Sequence, residues 1–158
     1  MKKLKIYLDT SVISHLNAPD APERQADTWA LWEDLKMGVY NVFTSPVLLE
    51  EISRCNEPKR GYMLDRLNEI PHTEIAINDE ITALGACIIN AEILPPKSVL
   101  DSLHIAAALS VECDYLVSWN FKHMSNIRTN NGIRIIAIEH HCRELLLLPP
   151  SMLLNRGE

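Results

Sequence analysis

The sequence lacks the marks of a secreted, membrane-spanning or nucleic-acid-coating protein. Its four cysteines, Cys55, Cys87, Cys113 and Cys142, include no C-x-x-C pair. No signal peptide reads at the N-terminus, so free thiols in a reducing compartment, the cytoplasm, are expected. The longest apolar runs, such as LLLLPP at 145–150, are far too short for a bilayer, so no membrane role is expected. A basic excess is missing too. The net charge of −6 argues against broad, nonspecific coating of nucleic acid, while leaving room for a local basic rim around an acidic site. Glycine and proline are not enriched, and there is no internal repeat or low-complexity linker. What is present is 47% hydrophobic residues in a chain of 158, enough for one core and one soluble domain.

Strand and helix signals alternate. LKIYL at 4–8 reads as a strand, and 11–16 as one or two helical turns. NAPDAPE at 17–23 is a loop. Apolar residues then recur at near-helical spacing to Gly38. YNVFTS at 40–45 reads as a second strand. Ser45-Pro46 has the form of an N-cap and first helical position, opening a helix through VLLEEISRC. A further helix is expected over 61–70, a strand over 73–77, a helix from Asn78 to about 92, and a strong helix after Ser98. DYLVSW at 114–119 is a clear β-run. NNG at 130–132 signals a turn, and IRIIAI at 133–138 reads as the last strand. The strands are apolar on both faces, the pattern of a parallel sheet between helix layers.

Oxygen-rich side chains gather near the carboxyl ends of the expected strands, where open parallel sheets bind ligands. Asp9 ends the first strand, and Asn120 follows DYLVSW. Glu51 and Asp101 lie on helices beside strands. If they converge, they offer the hard oxygen ligands that Mg2+ and Mn2+ prefer. Such ions generate hydroxide and stabilise the leaving oxygen in phosphodiester cleavage.

The stretches IYLDTSVIS (6–14), TSPVLLEEI (44–52), LDSLHIAAA (100–108) and DYLVSWNFKHM (114–124), in this order, resemble the PIN-domain family. Within it they are similar to the VapC-like toxin ribonucleases. The resemblance implies a three-layer α/β/α sandwich with a central, mainly parallel sheet, a nuclease domain over 1–148, and a C-terminal tail over 149–158. It implies a Mg2+- or Mn2+-dependent endoribonuclease acting on RNA, the toxin of a type II toxin–antitoxin pair, with a small antitoxin as partner and a homodimer as the assembly. Asp9, Glu51 and Asp101 fall on the family's metal-holding carboxylates. Glu51 fits better than Glu50 because it precedes the aliphatic Ile52 and lies six residues after Ser45. Asn120 stands at the fourth catalytic position, where many relatives carry Asp, so a second ion would be held more weakly. Thr10 and Ser118 fall where the family often places hydroxyls near the site, and His123 where many relatives have another acid.

Plainer roles are open to each residue. Asp9 has the form of a helix cap. Ser98 and Asp101 have the S-x-x-D spacing of a capping box, and an acid in a first turn also suits the helix dipole. Asn120 fits a turn after its strand. Glu50 and Glu51 point about 100° apart on a helix, so one of them faces solvent. His104 reads as a packed histidine or one that supports a ligand. Trp29 and Trp32 read as packing residues. HHC at 140–142 lacks zinc-ligand spacing. Arg54, Lys59, Arg60, Lys97 and Lys122 flank the motifs as ordinary surface or as guides for a phosphate backbone. Two other functions compete. An aspartate-nucleophile phosphatase would need an acid where Ser11 stands. A catalytically weak module that binds RNA or protein draws its support from Asn120.

Overall fold

The computed structural model describes residues 2–154. In chain order they form β1 (Lys5–Leu8), α1 (Thr10–Ser14), α2 (Pro22–Lys36), β2 (Asn41–Thr44), α3 (Pro46–Ser53) and α4 (Lys59–Leu67). After these come β3 (Thr73–Glu74), α5 (Asp79–Asn90), α6 (Val99–Ser110), β4 (Tyr115–Val117), α7 (Ile127–Glu139) and β5 (Leu146–Leu148). The strands make one five-stranded sheet in the order β3-β2-β1-β4-β5. Every neighbouring pair is parallel. The chain winds outward from β1 in one direction through β2 and β3, then in the other through β4 and β5. The carboxyl ends of β1 and β4 therefore flank the point where the strand order reverses, and a crevice opens there in sheets of this type.

Alternation along each strand divides the core into two layers. Tyr7, Leu116 and Leu147 face one way, into a layer built by Ile81, Ile88, Ile105 and Ile133 of α5, α6 and α7. Ile6, Leu8, Val117 and Leu148 face the other way, against Val12, Leu31, Trp32, Leu48 and Met63 of α1 to α4. The sandwich expected from the pattern is thus present, and its sheet is wholly parallel. No described helix is long and apolar enough to cross a membrane.

The local signals act as their chemistry suggests. The Ser45 hydroxyl accepts the Val47 N–H at 3.3 Å and Pro46 opens α3. The Asn78 side chain caps α5 through the Ile81 N–H at 2.8 Å. The strand expected over 73–77 is shorter, Thr73–Glu74.

The expected last strand is a correction. IRIIAI lies inside α7, and β5 forms instead from the leucines at 146–148. Ile133, Ile136 and Ala137 are buried while Ile135 and Ile138 are exposed. That spacing is helical, not alternating. The NNG turn signal has two other uses. A Cβ on Gly132 would stand 2.7 Å from Ile93 Cγ1, so the glycine lets α7 pass close to the segment before α6. The Asn130 amide donates to the Leu147 carbonyl at 2.9 Å and accepts the Leu147 N–H at 2.8 Å, on the open side of β5. Of the expected tail, Pro150 is buried and Leu153 and Leu154 pack on the α1–α4 layer. Residues 155–158 lie outside the described residues.

Candidate metal centre

Asp9 leaves β1 at the strand-order reversal and is only 5% exposed. It occupies the N-cap position of α1 without making a side-chain cap bond. Its Oδ2 instead accepts the hydroxyls of Ser11 at 2.7 Å and Ser118 at 2.6 Å. The same two hydroxyls accept backbone N–H groups, Ser11 from Trp119 at 2.9 Å and Ser118 from Asn120 at 3.0 Å. The ends of β1 and β4 are thereby laced together around one carboxylate oxygen.

Glu51 arrives from α3. The Ser45-Pro46 start sets the phase of this helix, burying Leu48 and Ile52. Glu51 turns inward, where its Oε1 accepts the Thr10 hydroxyl at 2.7 Å. Glu50 turns outward and pairs with Arg54 at 3.1 Å.

His104, fully buried on α6, joins the two acids. Its Nε2 lies 2.5 Å from Glu51 Oε1 and 3.6 Å from Asp9 Oδ1. A carboxylate only accepts, so Nε2 carries the proton and donates to Glu51. On its far side, Nδ1 is 2.5 Å from the Tyr7 hydroxyl, which shares a 2.7 Å hydrogen bond with Ser45. A polar chain therefore runs through the interior from the cap of α3 to the acid cluster.

Burial works against charge on His104, but the hydrogen bond to Glu51 and the charges of Asp9, Glu51 and Asp101 outweigh it and hold the imidazole above its ordinary value. For Glu51, burial is opposed by the hydrogen bond and charge of His104 and by Thr10, and the carboxyl sits below its ordinary value. Asp101, half-buried in the first turn of α6, is pushed up to about 6 by burial and by the charges of Asp9 and Glu51, against the pull of His104. Burial raises the Tyr7 hydroxyl strongly.

One ligand atom from each of Asp9, Glu51 and His104 lies within 4.8 Å of the others. Because His104 Nε2 gives its proton to Glu51, the two carboxylates are the members of this cluster that could hold a metal ion, with the imidazole behind them. Two carboxylates kept in place by hydroxyls, and a third acid whose ionisation they oppose, are what a hard divalent cation neutralises. The residues fit such an ion.

The other candidates lie around this centre. Thr10 and Ser118 touch the two acids directly. Asp101 stands outside the 4.8 Å cluster but within reach of its charges. Ser98 makes no side-chain cap bond on α6, so the capping box is not formed. Asn120 follows the residues that lace β4 to Asp9. Its Oδ1 accepts the His123 N–H at 3.0 Å, holding the loop after β4. His123 is on that loop, where burial, Lys122 and Lys97 keep it below its ordinary value.

Sequence reasoning gave Ser11 and Tyr7 no part in the site, and His104 only a supporting one. Signals existed: Tyr7 lies two residues before Asp9 on one strand face, and His104 three residues after Asp101 on one helix face.

No family model and no curated protein sequence matches the chain. Among solved structures, VapBC2 from Rickettsia felis, crystallised with a DNA fragment from their promoter, has a chain that is similar with a TM-score of 0.56 and 15% identity. The match covers 92% of this chain and 98% of the other. At that identity the likeness concerns the fold, and the molecule has the architecture of a PIN-like three-layer sandwich with an all-parallel five-stranded sheet.

Proposed function

We propose that this protein is a divalent-metal-dependent endoribonuclease, the toxin of a type II toxin–antitoxin pair, in which Asp9, Glu51 and Asp101 hold Mg2+ or Mn2+. The observation that carries the reading is the convergence of Asp9, Glu51 and His104 at the strand-order reversal, with the Asp101 charge beside them. When bound, a divalent ion there lowers the pKa of a water and offsets negative charge on the phosphate under attack. The protein's own groups set the geometry. Ser11 and Ser118 occupy Oδ2 of Asp9, while Oδ1 is the oxygen nearest His104. His104 holds the Glu51 carboxylate against Asp9 and keeps it ionised. Thr10 fixes the same oxygen from the α1 side. Asn120 shapes the loop after β4 rather than adding a charge.

The fold likeness to a toxin–antitoxin structure supports an antitoxin partner. RNA as substrate and a homodimer as the assembly rest on the family resemblance. A second reading, a binding module with weak catalysis, draws on the Asn120 oxygen being engaged by His123.

The test is cleavage of a mixed RNA pool with Mg2+, Mn2+ or EDTA, beside Asp9→Asn. Metal-dependent cleavage that disappears in the variant is expected. Metal binding by calorimetry without cleavage by the folded wild type would replace the nuclease with the binding module. Co-purification of a small protein encoded beside this gene tests the toxin–antitoxin part.

A further inference from the structure

Phe121 is 43% exposed, although it directly follows the residues that lace β4 to Asp9. Its ring stands edge-on to Trp119, with centroids 6.1 Å apart. Trp119 is 5% exposed and locked by its Nε1–H donating to Thr28 at 2.8 Å. The Trp119 ring also lies 5.7 Å from that of His15. Over this row sits the exposed Arg24 of α2, its guanidinium carbon 5.1 Å from the Phe121 centroid and 5.5 Å from that of Trp119.

The row is tied to the acid centre. The Trp119 N–H reaches the Ser11 hydroxyl, which donates to Asp9, and His15 Nδ1 is 2.7 Å from the Ser11 carbonyl. One serine therefore separates a carboxylate of the centre from an aromatic row whose inner ring is fixed and whose outer ring, Phe121, is part exposed beside Arg24. Burial of apolar surface does not account for Phe121, since much of its ring faces water. An exposed aromatic beside a cation is the arrangement that stacks a nucleobase and pairs with the adjoining phosphate. A protein of net charge −6 with an acidic centre needs such a local cation to approach a polyanion.

We infer that Phe121 and Arg24 form a subsite for single-stranded RNA on the rim of the Asp9 centre, Phe121 stacking one base and Arg24 pairing with the next phosphate. This inference rests on the ribonuclease reading for its ligand class.

The experiment uses the full chain carrying Asp9→Asn, so that RNA stays intact, and follows fluorescence anisotropy of two labelled probes. One is a short single-stranded RNA of mixed sequence, the other a ribose-phosphate strand of equal length without bases. Phe121→Ala is expected to weaken the mixed RNA about tenfold, within the range of one stacked base, and to leave the abasic strand unchanged. Phe121→Tyr restores binding. Arg24→Ala weakens both strands and lowers the salt slope by about one. In the active protein the loss from Phe121→Ala falls on KM. A platform that only supports the fold would move the melting temperature and not the difference between the probes. Equal binding of both probes by Phe121→Ala and its parent overturns the subsite while leaving the nuclease reading intact. Binding through Phe121 without any cleavage by wild type removes the nuclease reading and keeps the subsite. Absence of RNA binding by the parent overturns both.

Discussion

His104 and Glu51 meet inside the protein, one from α6 and one from α3, with Nε2 and Oε1 2.5 Å apart. The contact makes a histidine the inner support of the acid cluster. His104→Ala takes one hydrogen bond from Tyr7, which keeps Ser45, and one from Glu51, which keeps Thr10, and such lost bonds cost about 0.5–1.5 kcal/mol each, more at the charged Glu51. Affinity for Mn2+ should fall by roughly 10–100-fold, as when other groups that orient metal ligands are removed. Tyr7→Phe breaks the chain behind His104 but spares Nε2, so its Mn2+ affinity should stay near wild type. Thermal melts and Mn2+ titration calorimetry on both variants check this.

The Asp101 carboxyl, raised from 3.8 to about 6, predicts a pH dependence of metal binding. In the metal-free protein the unfolded chain gives up this proton first, so this group favours the fold less as pH climbs from the lower value towards the higher. A cation reverses that penalty and must displace the proton wherever Asp101 is still protonated. Mn2+ affinity should rise as pH approaches 6 and flatten above it. Calorimetry near pH 6 in buffers of different ionisation enthalpy should show proton release that shrinks in Asp101→Asn.

The hydroxyls of Ser11 and Ser118 share Asp9 Oδ2 and each also satisfies a backbone N–H of the β4 loop. Ser118→Ala should cost about 1–3 kcal/mol, because a buried acceptor and a donor lose their partner together. Residues in one network couple, so the double variant with Ser11→Ala should depart from additivity by about 0.5 kcal/mol or more. Denaturant unfolding of the four proteins measures the coupling.

Gly132→Ala sets helix propensity against space. Alanine favours a helix interior by about 1 kcal/mol over glycine. Its Cβ, however, would lie 2.7 Å from Cγ1 and 3.1 Å from Cγ2 of Ile93, a β-branched side chain with little freedom to turn aside. Overpacking of this kind costs about 1–3 kcal/mol, so the net change should be destabilising. Adding Ile93→Ala should recover the propensity gain relative to Ile93→Ala alone, which unfolding midpoints report.

The α/β/α architecture was legible because caps are local and apolar strand segments alternate with helical ones along the chain. Ser45-Pro46 and Asn78 open their helices by chemistry confined to a few residues. IRIIAI misled because β-branched residues suit strands, whereas here Ile133, Ile136 and Ala137 bury at helical spacing against other elements. β5 was hidden in a leucine run too uniform to show a period. At the centre, Asp9, Glu51 and Asp101 carried a family pattern. Ser11, Tyr7 and His104 did not, because their roles depend on rotamers and contacts across as many as 108 positions, as between Ser11 and Trp119. Asn120 and His123 carried motif positions, and the bond from the His123 N–H to the Asn120 oxygen became visible only in the folded loop after β4.

The Asn130 amide, set on both polar groups of Leu147, takes the place of a neighbouring strand. At the opposite border β3 offers only two residues, Thr73 and Glu74. The sheet thus ends at one side in a plug and at the other in a stub, and neither is a template on which another chain could extend it. These borders disfavour a backbone ladder with a second molecule and favour contact through side-chain packing. The same arrangement guards the folded chain against edge-to-edge polymerisation.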